Sequence, residues 1–474
     1  MMKNEAEIWT LVEANAARMI QLSDDVWAVP ETCYTEAKSV ALHQQALEDA
    51  GFRVRAGVAD IPTAVIGEAG EGGPVIAILG EYDALPGLSQ EAGLATHSEV
   101  EPDGHGHGCG HNLLGAGALL AAAAVKDWLA QTGTPGRVRY YGCPAEEGGG
   151  AKAFMVKAGL FDDVDIAITW HPESLTDVQG GGSLANTRID FAFHGRASHA
   201  AAAPHLGRSA LDAVELTNVG VNYMREHMPS DARVHYAMIN GGGIAPNVVQ
   251  PYARVRYSVR APQLPDMVKL VDRVRKVAEG AALMTETRVE PEVLSAVSNL
   301  IANAPLMEAM EAELQRLGPV PFDESDRAFA EEIRATLSEE EKRDVFARFN
   351  APVQEDRILC DFLLPAGNPK PPISGSTDVS DVSWVVPLVQ AMVATAAIGT
   401  PLHSWQMVAQ GKAPAAHKGM THAAKIMAGT AVAALLDPTL IERAQADLAR
   451  RVGPKGYTSP LPDGTKPPIA LMSL

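Results

Sequence analysis

Residues 106–112 read Gly-His-Gly-Cys-Gly-His-Asn and stand directly before an apolar stretch at 113–130. The stretch predicts a buried helix, and Asn112 is a residue type that favours the helix N-cap. Apolar strand patterns occur on both sides, at 75–80 and 138–142, so strands, loops and helices alternate along the chain. This alternation predicts an α/β fold. The glycine-rich loop would lie at the end of a strand, where ligands bind in open α/β sheets.

The segment that follows residue 185 has a different pattern. It alternates like half-exposed strands, with two amphipathic helical stretches among them. The predicted elements are a strand at 187–194, a helix at 209–226, strands at 233–239 and 254–260, a helix at 267–283 and a strand at 286–291. This β-α-β-β-α-β order is that of a ferredoxin-like unit. We therefore interpret residues 186–297 as an inserted domain, and residues 1–185 and 298–474 as two parts of one α/β domain.

The last part of the chain contains three further patterns. We expect the charged helical stretch at 324–346 to be a solvated surface excursion. An apolar stretch at 385–398 predicts buried sheet or helix, and residues 420–435 predict a closing helix.

Composition and charge exclude several classes of partner. The 474 residues include 39 basic and 58 acidic side chains, for a net charge of −19, which argues against binding to nucleic acid or to an anionic membrane. Four scattered cysteines do not suggest a disulfide scaffold and fit a reducing cytoplasm. The start of the chain does not resemble a signal peptide. The longest apolar run, at 113–125, is shorter than the ~20 residues that span a bilayer, so we expect a soluble cytoplasmic protein.

Two short motifs carry groups that bind metals. Cys109 and His111 are two residues apart, a spacing that an irregular loop can bring together on one ion. Glu146 and Glu147 follow an apolar strand and are flanked by proline and glycines, so one carboxylate can bind a cation while its neighbour acts on a water molecule. A lone reactive thiol and a solvated acidic surface are the alternatives. The combination indicates a metal-assisted hydrolase.

Histidines at strand ends and in loops enlarge the donor set. His171 follows the apolar strand at 166–170, although taken alone it would more often be a core histidine. Later loops offer His403 and His417, of which we favour His403. The five candidate ligands exceed the three protein ligands of one catalytic zinc, so two divalent ions are implied. Thiolate and imidazole favour Zn²⁺, while carboxylates tolerate Mn²⁺. The candidate ligands are Cys109, His111, Glu147, His171 and His403.

Five motifs together resemble one known family, the dinuclear-metal amidohydrolases that include hippurate hydrolase and the auxin-conjugate hydrolases. The motifs are Gly-Glu-Tyr-Asp-Ala-Leu-Pro at 80–86, the Cys-Gly-His loop, Pro-Ala-Glu-Glu-Gly-Gly at 144–149, Phe-His-Gly-Arg-Ala-Ser-His-Ala-Ala at 193–201 and Gly-Ser-Thr-Asp at 375–378. The resemblance implies a catalytic α/β domain with a mixed sheet, interrupted by a ferredoxin-like α+β lid that also dimerises. It implies hydrolysis of an N-acyl or N-aroyl amino acid, with p-aminobenzoyl-glutamate favoured. An auxin-aspartate-type conjugate and an unusual dipeptide are the alternative substrates.

The resemblance also implies roles for individual residues. Glu146 would be the general base and Glu147 a metal ligand. Asp83 would orient a ligand imidazole. The lid would contribute the residues that contact the substrate: His199, which would stabilise the oxyanion in the site of a partner chain, and Asn247 and Arg260, which would hold the amide and the carboxylate.

Alternative functions remain open from the sequence. We expect a homodimer or a hetero-oligomer with a homologous subunit. In the second case the chain could be a non-catalytic subunit, although a pure binder has no need of a base beside its ligands. A cysteine hydrolase that uses Cys109 and His111 would be inhibited by alkylation but insensitive to chelators.

Overall fold

The computed structural model describes residues 2–367, 369, 372 and 375–472. Two β-sheets and their surrounding helices account for most of these residues. The strands are β1 (Arg53–Ala56), β2 (Val65–Glu71), β3 (Val75–Glu81), β4 (Gly136–Cys143), β5 (Ile166–Glu173), β6 (Asp177–Val178), β7 (Ala185–His194), β8 (Arg233–Asn240), β9 (Tyr252–Ala261), β10 (Arg288–Val297) and β11 (Leu388–Ala394).

The α-helices lie between and after these strands. They are α1 (Met2–Trp27), α2 (Ala37–Asp49), α3 (His111–Thr132), α4 (Ala151–Lys157), α5 (Ala210–Met224), α6 (Leu264–Thr285), α7 (Ala304–Leu317), α8 (Glu324–Arg334), α9 (Glu339–Arg348), α10 (Val379–Val385), α11 (Trp405–Gln410), α12 (Pro414–Leu436), α13 (Pro438–Val452) and α14 (Ile469–Met472).

The large sheet is mixed and has the strand order β1-β2-β4-β3-β5-β11-β6. Its four central strands, β4, β3, β5 and β11, run parallel, while β1, β2 and β6 are antiparallel to their neighbours. Every residue of β3 and β11 is buried, as expected for parallel strands with helices on both faces. One face packs against α1, α3 and α12, and the other against α4 and α10. The predicted α/β fold with a mixed sheet is therefore confirmed.

The small sheet has the order β10-β7-β9-β8 and is antiparallel throughout. Helices α5 and α6 cover one of its faces with a separate cluster of buried apolar side chains. The elements β7, α5, β8, β9, α6 and β10 follow the predicted β-α-β-β-α-β order. The other face carries the polar residues of β7 and β9, because successive side chains of a strand point to opposite faces.

The predicted cap of α3 is wrong. The helix already includes His111, and its N-cap is Gly110, whose φ of 74° is in the left-handed region that glycine adopts without strain. Asn112 is buried one residue into the helix. Its side-chain amide donates to Ser23 Oγ at 3.0 Å and to the carbonyl of Gly411 at 3.1 Å. The asparagine therefore joins neighbouring segments instead of capping its own helix.

The charged stretch at 324–346 is not a solvated excursion. It forms α8 and α9, each of which begins with a capping box, and both helices bury apolar side chains in the main core. Among these are Ile333 and Phe346, which are fully buried. Most charged residues lie on the outer side of each helix, while Asp326 is buried and pairs with Lys418. The predicted closing helix is also wrong in part, because α13 follows α12.

Two helices, α3 and α12, have the length and composition of a membrane span. In each, 83% of the apolar window is buried within the protein. Helix α3 is longer than the apolar run counted in the sequence, because it continues to Thr132. Packing against the sheet and against each other accounts for the apolar surface of both helices.

The contact between α3 and β3 predicts the effect of one substitution. A Cβ atom at Gly115 would lie 2.5 Å from the carbonyl oxygen of Glu81, so Gly115→Ala should lower the free energy of unfolding by about 1–3 kcal/mol. Gly280 in α6 is the control, since a Cβ atom there has no neighbour within 4 Å. Gly280→Ala should be neutral or stabilising by up to ~1 kcal/mol. Urea unfolding of both variants tests this, and equal stabilities would contradict the packing argument.

Candidate active site

The predicted donors lie at the carboxyl ends of the parallel strands. Glu81 ends β3, the loop at 144–150 follows β4, and His171 lies near the end of β5. The loop that contains His403 follows β11. Parallel strands end at a common edge of the sheet, so four segments that are far apart in sequence meet there.

All five predicted ligands come together at this edge. Cys109 Sγ lies 3.4 Å from His171 Nε2, and His403 Nε2 lies 3.3 Å from Glu147 Oε2. Cys109 belongs to two groups of donors whose ligand atoms lie within 4.8 Å of one another. One group adds His111 and His171, and the other adds Glu147 and His403. The Cys109 thiol is therefore central to these five residues, which we call the donor cluster.

Asp83 connects the two loops of the site. One carboxylate oxygen lies 2.8 Å from His111 Nδ1, and the other accepts a hydrogen bond from the backbone N–H of Glu147 at 2.9 Å. Burial lowers the pKa of His111, but Asp83 and Cys109 raise it more, so that the pKa lies well above its ordinary value. The predicted contact between Asp83 and a candidate ligand imidazole is present. This contact at Nδ1 leaves the other ring nitrogen of His111, Nε2, facing the donor cluster.

His403 and His417 have different surroundings. His403 has a φ of 59°, and its backbone N–H donates to the carbonyl of Gly108 at 2.7 Å, which ties the late loop to the glycine-rich loop. His417 lies in α12, where its Nε2 is 2.9 Å from Asp24 Oδ1. The structure thus places His403, and not His417, beside the other donors.

The adjacent carboxylates have opposite pKa shifts. Burial, with Glu81 and Glu147 nearby, raises the pKa of Glu146 well above its usual range. Burial also acts to raise the pKa of Glu147, but the hydrogen bond from His403 and the charge of His111 lower it to about 2. Two neighbouring carboxyl groups with separated pKa values can act as an acid or base and as a permanent anion, respectively.

A buried ion triad supports the site and was missed in the sequence. Lys152 Nζ lies 2.6 Å from Glu81 Oε1 and 2.7 Å from Asp378 Oδ1, and all three side chains are almost completely buried. The second oxygen of Glu81 is 3.3 Å from His111 Nε2. Glu81, His111 and Glu146 form a third group of potential metal donors. The sequence signal for this triad was Lys152, a single charged residue in the otherwise apolar first turns of α4.

The segment before α2 holds the loop of the two glutamates in place. Glu36 Oε1 accepts hydrogen bonds from the backbone N–H groups of Tyr34 and Ala145, both at 2.9 Å. Tyr34 also donates its hydroxyl to the carbonyl of Gly149 at 3.0 Å. Ala145 has a φ of 56°, an uncommon conformation for alanine. These contacts fix the backbone on both sides of Glu146.

The residues predicted for the lid are not in the donor cluster. His199 is exposed, and its Nδ1 accepts from the backbone of Ala201 and Ala202 at 3.2 Å. Asn247 is also exposed and lies near His199, since the backbone carbonyl of Asn247 accepts a hydrogen bond from the backbone N–H of Ala200. Arg260 lies at the opposite end of β9, where it pairs with Asn186 of β7.

The donor set fits divalent cations. His111 Nε2 and Glu147 Oε1 are buried atoms without a hydrogen-bond partner among the residues that the structure describes. Such unpartnered atoms are rare in folded proteins, and both point into groups of metal donors. Glu81, Glu146 and Glu147 also concentrate negative charge that buried sites must compensate. A thiol, imidazoles and carboxylates are ligands of transition-metal ions.

The ion triad generates a stability prediction. Lys152→Met removes the ammonium between two buried carboxylates and should lower the free energy of unfolding by about 3–5 kcal/mol. Lys276→Met, at an exposed position of α6 where the lysine has no ion pair among the described residues, is the control and should cost less than about 1 kcal/mol. Denaturant unfolding at fixed metal concentration compares them. Equal losses would show that the triad contributes little to stability.

Comparison with known proteins gives concordant results. A family model described as peptidase family M20/M25/M40 matches residues 77–355, more than half of the chain. The B subunit of the p-aminobenzoyl-glutamate hydrolase of Escherichia coli is 46% identical over 96% of this chain and 97% of its own. The A subunit of that hydrolase is 29% identical over 49% of this chain and 54% of its own.

A solved structure agrees in fold. The Bacillus subtilis YXEP protein, described as a dinuclear metal binding peptidase from the M20 family, has a TM-score of 0.56 and 19% identity, and the match covers 90% of this chain and 99% of that one. The family match and the 46% identical relative settle the assignment. The chain belongs to peptidase family M20/M25/M40 and is a metal-dependent amidohydrolase.

Proposed function

We propose that the donor cluster would hold two divalent cations, which would share either the thiolate of Cys109 or a water molecule. The support is that Cys109 lies in both groups of donor atoms, one with two imidazoles and one with a carboxylate and an imidazole. Zn²⁺ and Mn²⁺ are the ions that we propose, since thiolate and imidazole favour zinc and carboxylates tolerate manganese. The proposed ligands are Cys109, His111, Glu147, His171 and His403.

The residues around the donor cluster have different proposed roles in hydrolysis. The bound cations would lower the pKa of a water molecule and polarise the scissile carbonyl. Glu146 is the proposed general base: it accepts a proton from the attacking water and passes it to the departing amine. A positioned carboxyl group can accept a proton and then donate it in general acid–base catalysis. Asp83 keeps His111 oriented and positions the backbone of Glu147.

We propose that the substrate is p-aminobenzoyl-glutamate, which hydrolysis converts to p-aminobenzoate and glutamate. The relative that is 46% identical over nearly the whole chain carries this substrate in its name. Asn247 and Arg260 are the proposed contacts for the amide and the carboxylate. The experiment is an assay of the purified chain with Mn²⁺ or Zn²⁺ on a panel of acyl-amino acids. An inactive chain that becomes active only with a homologous subunit would identify a non-catalytic partner.

The small sheet and its helices are the proposed lid, formed by residues 186–297 within a catalytic domain of residues 1–185 and 298–474. Strand β8 is an edge strand that leaves exposed the apolar side chains of Tyr236, Met238 and Ile239. Exposed edges and apolar patches favour association. We propose a homodimer or, because the two Escherichia coli relatives are named as different subunits of one hydrolase, a hetero-oligomer. The free cysteines support a cytoplasmic location.

The two glutamates should respond differently to substitution. Glu146→Gln should lower kcat by about 10² to 10⁴ while bound metal is retained, because only the base is lost. Glu147→Gln should lower metal content as well, since it removes a ligand and the carboxylate beside His403. Steady-state kinetics and metal analysis of the same preparations test both statements. Full metal in the Glu147 variant and depleted metal in the Glu146 variant would reverse the assignment.

A mixing experiment tests whether His199 acts in the neighbouring subunit. His199→Ala and Glu146→Gln chains should each be inactive alone. After the chains exchange, a one-to-one mixture should recover about a quarter of the wild-type activity, because half of the dimers are mixed and one site of each is complete. Differently tagged chains verify the exchange. Mixed dimers without activity would exclude a role in trans.

A further inference from the structure

The polar face of the small sheet carries a group of arginines. Arg188 is on β7, and Arg256 and Arg260 are on β9, all on the face opposite α5 and α6. In the antiparallel register Arg188 lies opposite Ser258, and Arg260 lies opposite Asn186. Arg188 and Arg260 are therefore diagonal neighbours on adjacent strands, with a spacing of about 7–8 Å that long side chains bridge.

The acidic residues of this face neutralise only part of its positive charge. Asp190 is buried and accepts hydrogen bonds from Arg256 at 2.8 Å and from the neighbouring Arg254. In the part of the chain that the structure describes, neither Arg188 nor Arg260 is hydrogen-bonded or ion-paired to a carboxylate. Arg260 Nε is buried without any partner. Two guanidinium groups thus remain available for anions.

Arg188 also contacts the loop at 144–150, which carries Glu146 and Glu147 and is called the catalytic loop below. Its Nη1 donates to the carbonyl of Gly148 at 3.0 Å, one residue after the proposed ligand Glu147. Ser295 Oγ donates to the same carbonyl at 2.9 Å. Burial is the main cause that lowers the pKa of Arg188; Cys33 and Asp190 act against this shift, and Arg256 and Arg260 add to it. The guanidinium is thus held against the loop that carries Glu146 and Glu147, and its other N–H groups have no hydrogen-bond partner among the described residues.

We propose that Arg188 binds the side-chain carboxylate of the leaving amino acid, next to the α-carboxylate that is assigned above to Arg260. This assignment rests on the proposed function, in which an acyl-glutamate is cleaved. Glutamate carries two carboxylates on a short carbon chain, and two guanidinium groups on adjacent strands match them with charge-assisted hydrogen bonds. A neutral side chain would leave the half-buried Arg188 without a counter-charge, so the pair selects acidic leaving groups.

Two substrates that differ in one group test the proposal. p-Aminobenzoyl-glutamate and p-aminobenzoyl-glutamine have the same scissile bond and the same α-carboxylate, but the second has a neutral side chain. Arg188→Gln should lower kcat/KM for the glutamate conjugate about thirtyfold, mainly through KM, and change the value for the glutamine conjugate less than threefold. Arg260→Gln should reduce both values. Arg288→Gln, at an exposed site on β10 that faces Glu290, should affect neither.

Circular dichroism and metal content verify that each variant is folded and loaded. If Arg188→Gln does not fold, Arg188→Lys replaces it, and a loss of preference for glutamate over glutamine of at least tenfold is expected, because lysine lacks the bidentate fork. Equal losses on both conjugates would overturn the proposal and leave Arg188 as a support for Gly148. If the wild-type protein cleaves neither conjugate, the proposed function fails. Calorimetric binding of both conjugates to the wild type and to Arg188→Gln then tests the arginine separately.

Discussion

The carboxylate of Asp83 is the contact on which the site depends. One oxygen of this carboxylate contacts Nδ1 of His111, the first residue of α3. The other oxygen accepts a hydrogen bond from the backbone N–H of Glu147. Because Asp83 lies two residues after the end of the central strand β3, the parallel sheet sets the positions of both segments. A single carboxylate therefore determines how an imidazole and a carboxylate from separate segments face each other. The same contact leaves His111 Nε2 pointing at the donor cluster, which a rotated ring would not do.

Electrostatics explains why this arrangement requires cations. Four carboxyl groups lie close together here: those of Glu81 and Asp378 are buried and pair with the ammonium group of Lys152, and those of Glu146 and Glu147 are half-buried. In low dielectric such an excess of negative charge is unfavourable, and the pKa of Glu146 rises accordingly. Divalent ions would supply the missing positive charge, and His111 Nε2 and Glu147 Oε1, which have no hydrogen-bond partner among the described residues, would be among the atoms that hold them. The negative charge of these carboxyl groups thus favours cations at this edge of the sheet.

The sequence predicted the parts of the site that are encoded locally. The Cys-Gly-His loop and the paired glutamates appear as short motifs, and apolar periodicity identified most strands of both sheets. Contacts between distant segments were not predictable in this way. Lys152 and Asp378 are separated by 226 residues, and Glu36 and Ala145 by 109, so nothing near either residue reveals its partner. The wrong cap at Asn112 has the same cause, since its amide is used by Ser23 and Gly411. The burial of α8 and α9 was not predicted, because each of these charged helices has only a few apolar residues. Those few residues are enough to bury one side of each helix.

The dimensions of the small sheet constrain how a substrate can be held. Arg188 and Arg260 lie at the end of β7 and β9 that touches the catalytic loop through Gly148. His199 and Asn247 lie beyond His194, at the other end of the same strands. From Asn186 to His194 an extended strand covers about 27 Å, far more than the length of an acyl-amino acid. One copy of the sheet therefore cannot bring both ends to one small molecule. If all four residues contact the substrate, the carboxylate-binding arginines come from the chain that holds the metals, and His199 and Asn247 come from a second chain. Under that condition association is a requirement of the chemistry and not only a source of stability.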